Sequence, residues 1–320
     1  MLRSILIYLS KAAWARRVVT GWAFAWRAAS RFVAGEKLED AILVVKKLNA
    51  NGINATLDHL GEHTNNPDDA RRATQDILKM LDAIQSSGVS SNVSIKLSQI
   101  GMALDENLCR ENMAEILDRA RSLANFIRID IEDAPTVDAT LKLYREMVFE
   151  REHRGVGVAV QSYLYRSRED VARLAEHGAR VRLCKGAYKE PPDVAYPKKR
   201  DVDANYDLLA NMLMEKALEN GSPILSEDGR IPPLPVLATH DIQRIQQAIE
   251  HAKKIGLPKN ALEFQMLNGI RRDLQEQLVA DGYPVRVYVP YGTEWYPYFT
   301  RRLAERPANI WFFISNFFRK

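Results

Sequence analysis

Charged and amide side chains recur along this sequence where short apolar runs come to an end. One run closes on Ile95-Lys96-Leu97-Ser98, the next on Arg128-Ile129-Asp130-Ile131-Glu132-Asp133, and a third on Gln161-Ser162-Tyr163. Further on come Val181-Arg182-Leu183-Cys184-Lys185-Gly186-Ala187-Tyr188, then Ala238-Thr239-His240-Asp241, then Glu263-Phe264-Gln265. A charge inside an apolar strand is costly unless paired, so these groups have to find partners close to where the strands end. For any one of them a structural ion pair is as good a reading as a functional role. Six successive runs that end this way favour a site.

A second constellation stands near the end of the chain, Tyr298-Phe299-Thr300-Arg301-Arg302-Leu303-Ala304-Glu305-Arg306. On a helix Tyr298 lies one turn before Arg301 and Arg302, and Glu305 one turn after them, so the four share adjoining parts of one face. An aromatic wall, two guanidinium forks and a carboxylate to orient them suit a small carboxylate ligand, because the planar fork binds carboxylate through two parallel hydrogen bonds. The plainer reading is a solvated charge run placed favourably near a helix C-terminus.

The rhythm of the chain supplies what must bring these groups together. β-rich runs occur at residues 53–60, 92–98, 126–133, 157–163, 180–187, 235–241, 262–269 and 285–292. Helical patterns lie between them at 68–86, 108–124, 136–151, 168–177, 203–220, 241–255 and 271–281. Eight strands alternating with helices, each nearly continuous in apolar residues at its start, predict a parallel (β/α)8 barrel of the TIM type rather than an open sheet. In such barrels chemistry sits at the C-terminal face, so the strand ends converge on one mouth. Residues 189–200, rich in proline and charge, read as a long loop after the fifth strand.

Composition sets the outer bounds. The 320 residues, 46% hydrophobic and 27% charged, suffice for one such barrel with a small appendage. A formal charge of +4 from 45 basic and 41 acidic residues gives no reason to expect nucleic acid as a partner. Cys109 and Cys184 are the only cysteines, which excludes a disulfide scaffold and a cysteine-built zinc site and fits a reducing compartment. The six histidines show no ligand spacing, so no metal is expected, and His240 beside Asp241 reads as a hydrogen-bonded mouth residue.

Residues 1–36 stand apart from a catalytic domain at 37–320. Arg3, Lys11, Arg16, Arg17, Arg27 and Arg31 occur there without an acid between the first and last of them, interleaved with Leu2, Ile5, Leu6, Trp14, Trp22, Phe24 and Trp26. That is a basic amphipathic pattern: helices that cap the domain, rest on a membrane surface, or serve as an import signal. No apolar run is long enough to cross a bilayer. The expected location is cytoplasmic, with peripheral contact at the inner face of the membrane left open by the basic segment.

Taken together, the strings 182–188, 238–241, Glu263-Phe264-Gln265 with Leu267, and 288–305 resemble the proline dehydrogenase family. The resemblance covers nearly all of the chain after the N-terminal helices. It implies a distorted barrel whose final helix lies across the mouth, FAD as cofactor and L-proline as substrate. It further implies that Lys96, Arg301 and Arg302 hold the proline carboxylate, that Asp130 and Glu305 neutralise and orient those cations, and that Ala187, Leu267, Tyr288 and Tyr298 wall the ring. On the cofactor side it implies Arg182 beside the flavin N5, and Gln161 and Gln265 at polar flavin edges. Cys184, Lys185, Gly186, Ala187 and Tyr188 lie along the same strand end, with Ala238, Thr239, His240 and Lys199 towards the ribityl and diphosphate region. Lys189 stands where longer members carry Trp, and Val202 falls where a Thr is expected near the adenine end.

The chemistry asks for these residue types. Oxidising proline moves a hydride equivalent from C5 to an acceptor while a neutral ring nitrogen donates its lone pair, and a fixed cation such as Arg182 stabilises the negative charge that a reduced flavin gains. Clamping the carboxylate orients the ring and saves the entropy of a bimolecular encounter. No general base stands out. The family resemblance implies a quinone or other membrane acceptor for the electrons, and the length implies a separate pyrroline-5-carboxylate dehydrogenase. Two other readings remain beside this one: a Schiff-base aldolase or lyase using Lys96 or Lys185 as an amine nucleophile, and a non-catalytic membrane-associated scaffold.

Overall fold

The computed structural model describes residues 23–61 and 64–305, the side chains of residues 23, 24, 304 and 305 excepted. Eight parallel strands form a closed barrel in chain order: β1 Asn54–His59, β2 Ser91–Lys96, β3 Ile127–Asp130, β4 Val156–Gln161, β5 Val181–Cys184, β6 Pro235–Ala238, β7 Glu263–Leu267 and β8 Val285–Tyr291. Helix α1 Ala23–Ala29 and α2 Leu38–Asn49 precede them. The strands are followed in turn by α3 Pro67–Ser87, α4 Glu106–Ser122, α5 Val137–Arg145, α6 Ser167–Glu176, α7 Lys199–Glu219, α8 Ile242–Ile255, α9 Arg272–Ala280 and α10 Trp295–Glu305.

Alternation along the strands explains why the barrel closes. Leu57, Val93, Ile95, Ile127, Ile129, Val158, Val160, Leu183, Phe264, Met266, Val287 and Val289 turn outwards into one continuous core with Ile77, Met80, Leu81, Ile84, Met113, Leu209 and Leu213 of the surrounding helices. Successive strand residues face opposite ways, so Asp58, Lys96, Asp130, Arg182, Gln265 and Tyr288 point into the barrel. The register sets Lys96 beside Asp130, Gln161 beside Cys184, Ala238 beside Gln265 and Leu267 beside Tyr288.

The floor of the barrel is ionic. Arg286 and Glu263 are both fully buried and paired at 2.9 Å and 3.0 Å, and Arg286 also donates to the carbonyls of Ala55 and Gly229 at 2.7 Å. Arg128, equally buried, donates to the carbonyls of Val158 and Arg180 and stacks over Phe126. Gly157 makes room for it, since a Cβ there would collide with the Arg180 carbonyl, the Arg128 guanidinium and the Phe126 ring.

Element ends follow local signals. Helix α3 starts at Asn66, whose side chain accepts from the Asp69 amide at 2.9 Å, with Pro67 in the first turn. Several boundaries differ from the sequence reading, three of them with a local cause. Strand β5 stops at Cys184 because the chain turns at Gly186, at φ +109°. Residues 136–151 are an α-helix only as far as Arg145, entered through a 3-10 turn containing Pro135 and continued by a π turn at Glu146–Glu150. The loop after β5 ends at Lys198, so Lys199 is the first residue of α7 and not part of the loop.

The last helix packs on the first. Trp26 meets Trp295 edge-on at 5.4 Å and Phe32 meets Phe299 at 6.3 Å. With Ala25, Ala28, Ala29, Val33, Leu60, Tyr296 and Tyr298 they form a second apolar cluster against which Leu267 and Tyr288 rest. Leu267 ends β7 and Tyr288 stands beside it in register on β8, so α10 lies against the mouth of the barrel. Residues 1–22 of the proposed N-terminal segment lie outside the described residues. Among the described residues no helix is long and apolar enough to cross a membrane.

Candidate active site

The centre of the mouth is Arg182. Its Nε donates to Gln265 Oε1 at 2.7 Å, and its Nη1 donates to Asp130 Oδ1 at 2.6 Å and to Ser94 Oγ at 3.0 Å. Three neighbouring interior positions thereby fix one guanidinium that is only 5% exposed. Asp130 also accepts from the Tyr288 hydroxyl at 3.0 Å, and the Arg182 guanidinium lies 5.5 Å from the centre of the Tyr288 ring. Lys96 is held by Asp58, whose two carboxylate oxygens are each 3.1 Å from Nζ. Asp58 thus holds Lys96, while Asp130 serves Arg182 and Tyr288.

Burial dominates the electrostatics here. It raises the Asp58 carboxyl above its ordinary range although Lys96 pulls the other way. The Tyr288 hydroxyl is pushed well above the ordinary phenol range by burial, and then by Asp130 and Asp58. The Cys184 thiol is pushed up to about 12 by burial and by Asp130 against the pull of Arg182, so it is not a thiolate nucleophile.

The ends of β4, β5 and β6 build a second part of the site. Lys185 Nζ bridges Asp203 Oδ1 at 2.5 Å and Asp241 Oδ2 at 2.7 Å, and Lys199 joins the same two carboxylates. Asp241 also caps α8 by accepting from the Gln243 amide at 3.1 Å. Burial pushes Asp203 and Asp241 upwards, but the two lysines outweigh it and hold both below the ordinary carboxylate range. His240 Nε2 accepts from the Leu267 amide at 2.9 Å, and the Thr239 hydroxyl accepts from the Asp241 amide at 3.1 Å. Gly186 passes so close to Tyr163 that any Cβ would enter the ring. Ala187, Tyr188 and Ala238 are partly exposed beside it. Gln161 donates to the carbonyls of Ile131 and Glu132, but its Oε1 is buried and has no hydrogen-bond partner.

A cavity of about 480 Å³ leads in between β1, α3 and the turn before α10, lined by His59, Thr64, Asp76, Gln99 and Glu294 and reaching Ser94, a ligand of Arg182. On α10, Tyr298 is buried, Arg301 and Arg302 are partly exposed, and the Arg302 guanidinium lies 5.2 Å from the centre of the Tyr298 ring. Glu305 is the last residue of this helix, and its side chain lies outside the described residues.

Lys185 and Lys199 are engaged with Asp203 and Asp241, and Gln265 lies buried between Arg182 and Glu263. Lys96 and Lys185 are each seated on carboxylates, unlike the amine in an apolar pocket that a Schiff-base nucleophile requires. Sequence reasoning passed over Asp58, Ser94, Asp203 and Arg286, and gave Glu263 no role of its own. Asp58 carried the same signal as the others, a carboxylate at the end of an apolar run.

Comparison with known proteins gives the family. A family model described as proline dehydrogenase matches residues 41–313. The chain is similar to the proline dehydrogenase of Deinococcus radiodurans, 43% identical over 293 residues covering 91% of this chain and 90% of the relative. It is 36% identical to proline dehydrogenase 2 of Bacillus subtilis strain 168 over 318 residues, 99% of each. Proline utilization A from Bdellovibrio bacteriovorus, solved after inactivation by N-propargylglycine, superposes with a TM-score of 0.78 at 25% identity over 88% of this chain, which spans 33% of that longer one.

Proposed function

This chain belongs to the proline dehydrogenase family and oxidises L-proline in proline catabolism, and from that premise we propose that its cofactor is FAD, held by residues at the ends of β4, β5 and β6. The observation that carries this is Arg182, a cation fixed at the mouth by Asp130, Gln265 and Ser94. The unpartnered Gln161 Oε1 and the close passage of Gly186 over Tyr163 fit a bound polar ring system, the first as a spare acceptor and the second as a cradle that a side chain would fill. When bound, the flavin supplies a two-electron acceptor for the hydride equivalent that leaves C5 of proline, giving 1-pyrroline-5-carboxylate.

Lys96, Arg301 and Arg302 hold the proline carboxylate in this reading, each as a charge-assisted donor. Tyr288, Tyr298, Leu267 and Ala187 wall the ring and keep water out. Arg182 stands where negative charge develops, and because Asp130, Ser94 and Gln265 already fix it, it needs no reorganisation as the charge appears. Thr239, His240 and the lysines around Asp203 and Asp241 lie on the diphosphate side. Residues 25–33 pack on α10, and the basic N-terminal segment brings the protein to a membrane surface, where a quinone takes the electrons. A separate dehydrogenase consumes the product.

The test is the visible spectrum of the purified protein. It shows bound oxidised flavin, bleached under anaerobic conditions by L-proline but not by D-proline or NADH. A folded, colourless protein that gains no such spectrum on incubation with FAD refutes the cofactor assignment.

A further inference from the structure

Asp58 is the most deeply buried carboxylate of the mouth and has no part in the reading above. It lies one residue before the end of β1, is fully buried, and its two oxygens grip one ammonium, Lys96, across β1 and β2. It also shares a hydrogen bond with Tyr288 of β8, and feels Asp130 of β3. Tyr291 of β8, in turn, feels Asp58. Asp58 thus lies between the cation assigned to substrate and the Tyr288–Asp130 pair that leads to Arg182, the cation assigned to the flavin.

A buried ion pair is seldom kept for stability, since a well-packed apolar pair of the same volume does as well. A buried lysine without its counter-anion gives up its proton. A neutral amine at Lys96 would offer a carboxylate only a weak hydrogen bond. We propose that Asp58 is a positioning residue for substrate recognition, keeping Lys96 charged and aimed so that an N–H not engaged by Asp58 meets the ligand carboxylate. Selection of an amino acid over a cyclic amine lacking the carboxylate then depends on Asp58 as much as on Lys96. The inference rests on the reading of Lys96 as a carboxylate ligand, and its test separates the two.

The probe is cyclopentanecarboxylate, which has the ring and carboxylate of proline but no amine to titrate. Its dissociation constant is measured by calorimetry on the flavin-loaded protein from pH 7 to 9.5. The parent holds it evenly over this range. Asp58→Asn binds it at least tenfold more weakly and weakens further with rising pH, as Lys96 loses its proton. Lys96→Met binds weakly at every pH, and the double variant binds no more weakly than Lys96→Met alone, because Asp58 acts only through Lys96. Losses that multiply in the double variant mean a structural role and overturn the proposal, as does Asp58→Asn binding like the parent. Unchanged binding by Lys96→Met overturns instead the carboxylate reading on which it rests. Should Asp58→Asn not fold, Asp58→Glu serves: with the charge retained, affinity stays within threefold and even across pH, and a larger, pH-independent loss overturns the proposal.

Discussion

Arg182 and Gln265 are joined by a 2.7 Å hydrogen bond inside the barrel, and Gln265 passes the constraint downwards by donating to Glu263 at 2.6 Å. Glu263 is the anion of the floor pair with Arg286. The orientation of the mouth cation is therefore set from the bottom of the barrel, two strands away from β5. A side chain that must meet developing charge without reorganising is best fixed by groups that are themselves immobile.

The floor pair should accordingly be costly to break on one side. Glu263→Gln leaves Arg286 fully buried and uncompensated, and is expected to cost about 3–5 kcal/mol in urea unfolding. Replacing both residues together, as Glu263→Leu with Arg286→Met, should cost less than the single change. A single variant as stable as the parent would mean that water reaches the floor.

Gly186 yields a test of the proposed cofactor face. With φ at +109° and the Tyr163 ring against it, Gly186→Ala must displace one or the other, and a side chain is strained at this φ in any case. The expected result is a loss of bound FAD, measured as the flavin-to-protein absorbance ratio, with melting of the protein changed by much less. Tyr163→Ala should restore part of the binding to Gly186→Ala but not all of it, because the backbone strain stays.

The quartet of Lys185, Lys199, Asp203 and Asp241 predicts a pH dependence of stability. Asp203 and Asp241 are held below the ordinary carboxylate range, with burial opposing and the lysines prevailing. A depressed carboxyl stabilises the fold above its unfolded pKa, and that stabilisation is lost as pH falls through the folded value. Asp203→Asn should cost about 1.5–3 kcal/mol at pH 7. The gap in melting temperature between parent and variant should close as pH falls below about 4. A gap of constant size at both pH values would assign the loss to packing instead.

How far these groups were legible depended on where their partners lie. Arg182, Asp130 and Lys96 announced themselves because charges in apolar strands need partners, and the eight-fold rhythm placed them at one mouth. Which carboxylate serves which cation was hidden, because Asp58 reaches Lys96 from 38 residues away and only the closed barrel brings them together. The pairing of Glu263 with Arg286 was equally invisible, since it follows from the stagger of β7 against β8. Lys199 was read as loop because Lys198, the residue before α7, has no side-chain cap and Pro197 precedes it, so the usual start signal is missing. On α10 the spacing of Tyr298 and Arg302 was readable from the helical period, and the guanidinium lies over that ring.

The carboxylate clamp on α10 is the remaining test, and it joins the helix face to the chemistry. Replacing Arg302 or Arg301 with Met removes one charge-assisted partner worth about 1.5–3 kcal/mol, so affinity for proline should fall roughly tenfold to a hundredfold. FAD content should stay at the parent level, because the proposed cofactor contacts lie at the ends of β4, β5 and β6. The maximal rate of flavin reduction should fall as well, since a carboxylate held less firmly orients the ring less well over the acceptor. Arg→Lys should rescue only in part, because a point charge cannot reproduce the planar fork. If instead both Met variants keep proline kinetics within about twofold of the parent, as exposed surface charges do, these arginines decorate a solvated helix and the clamp has to be sought on the strands alone.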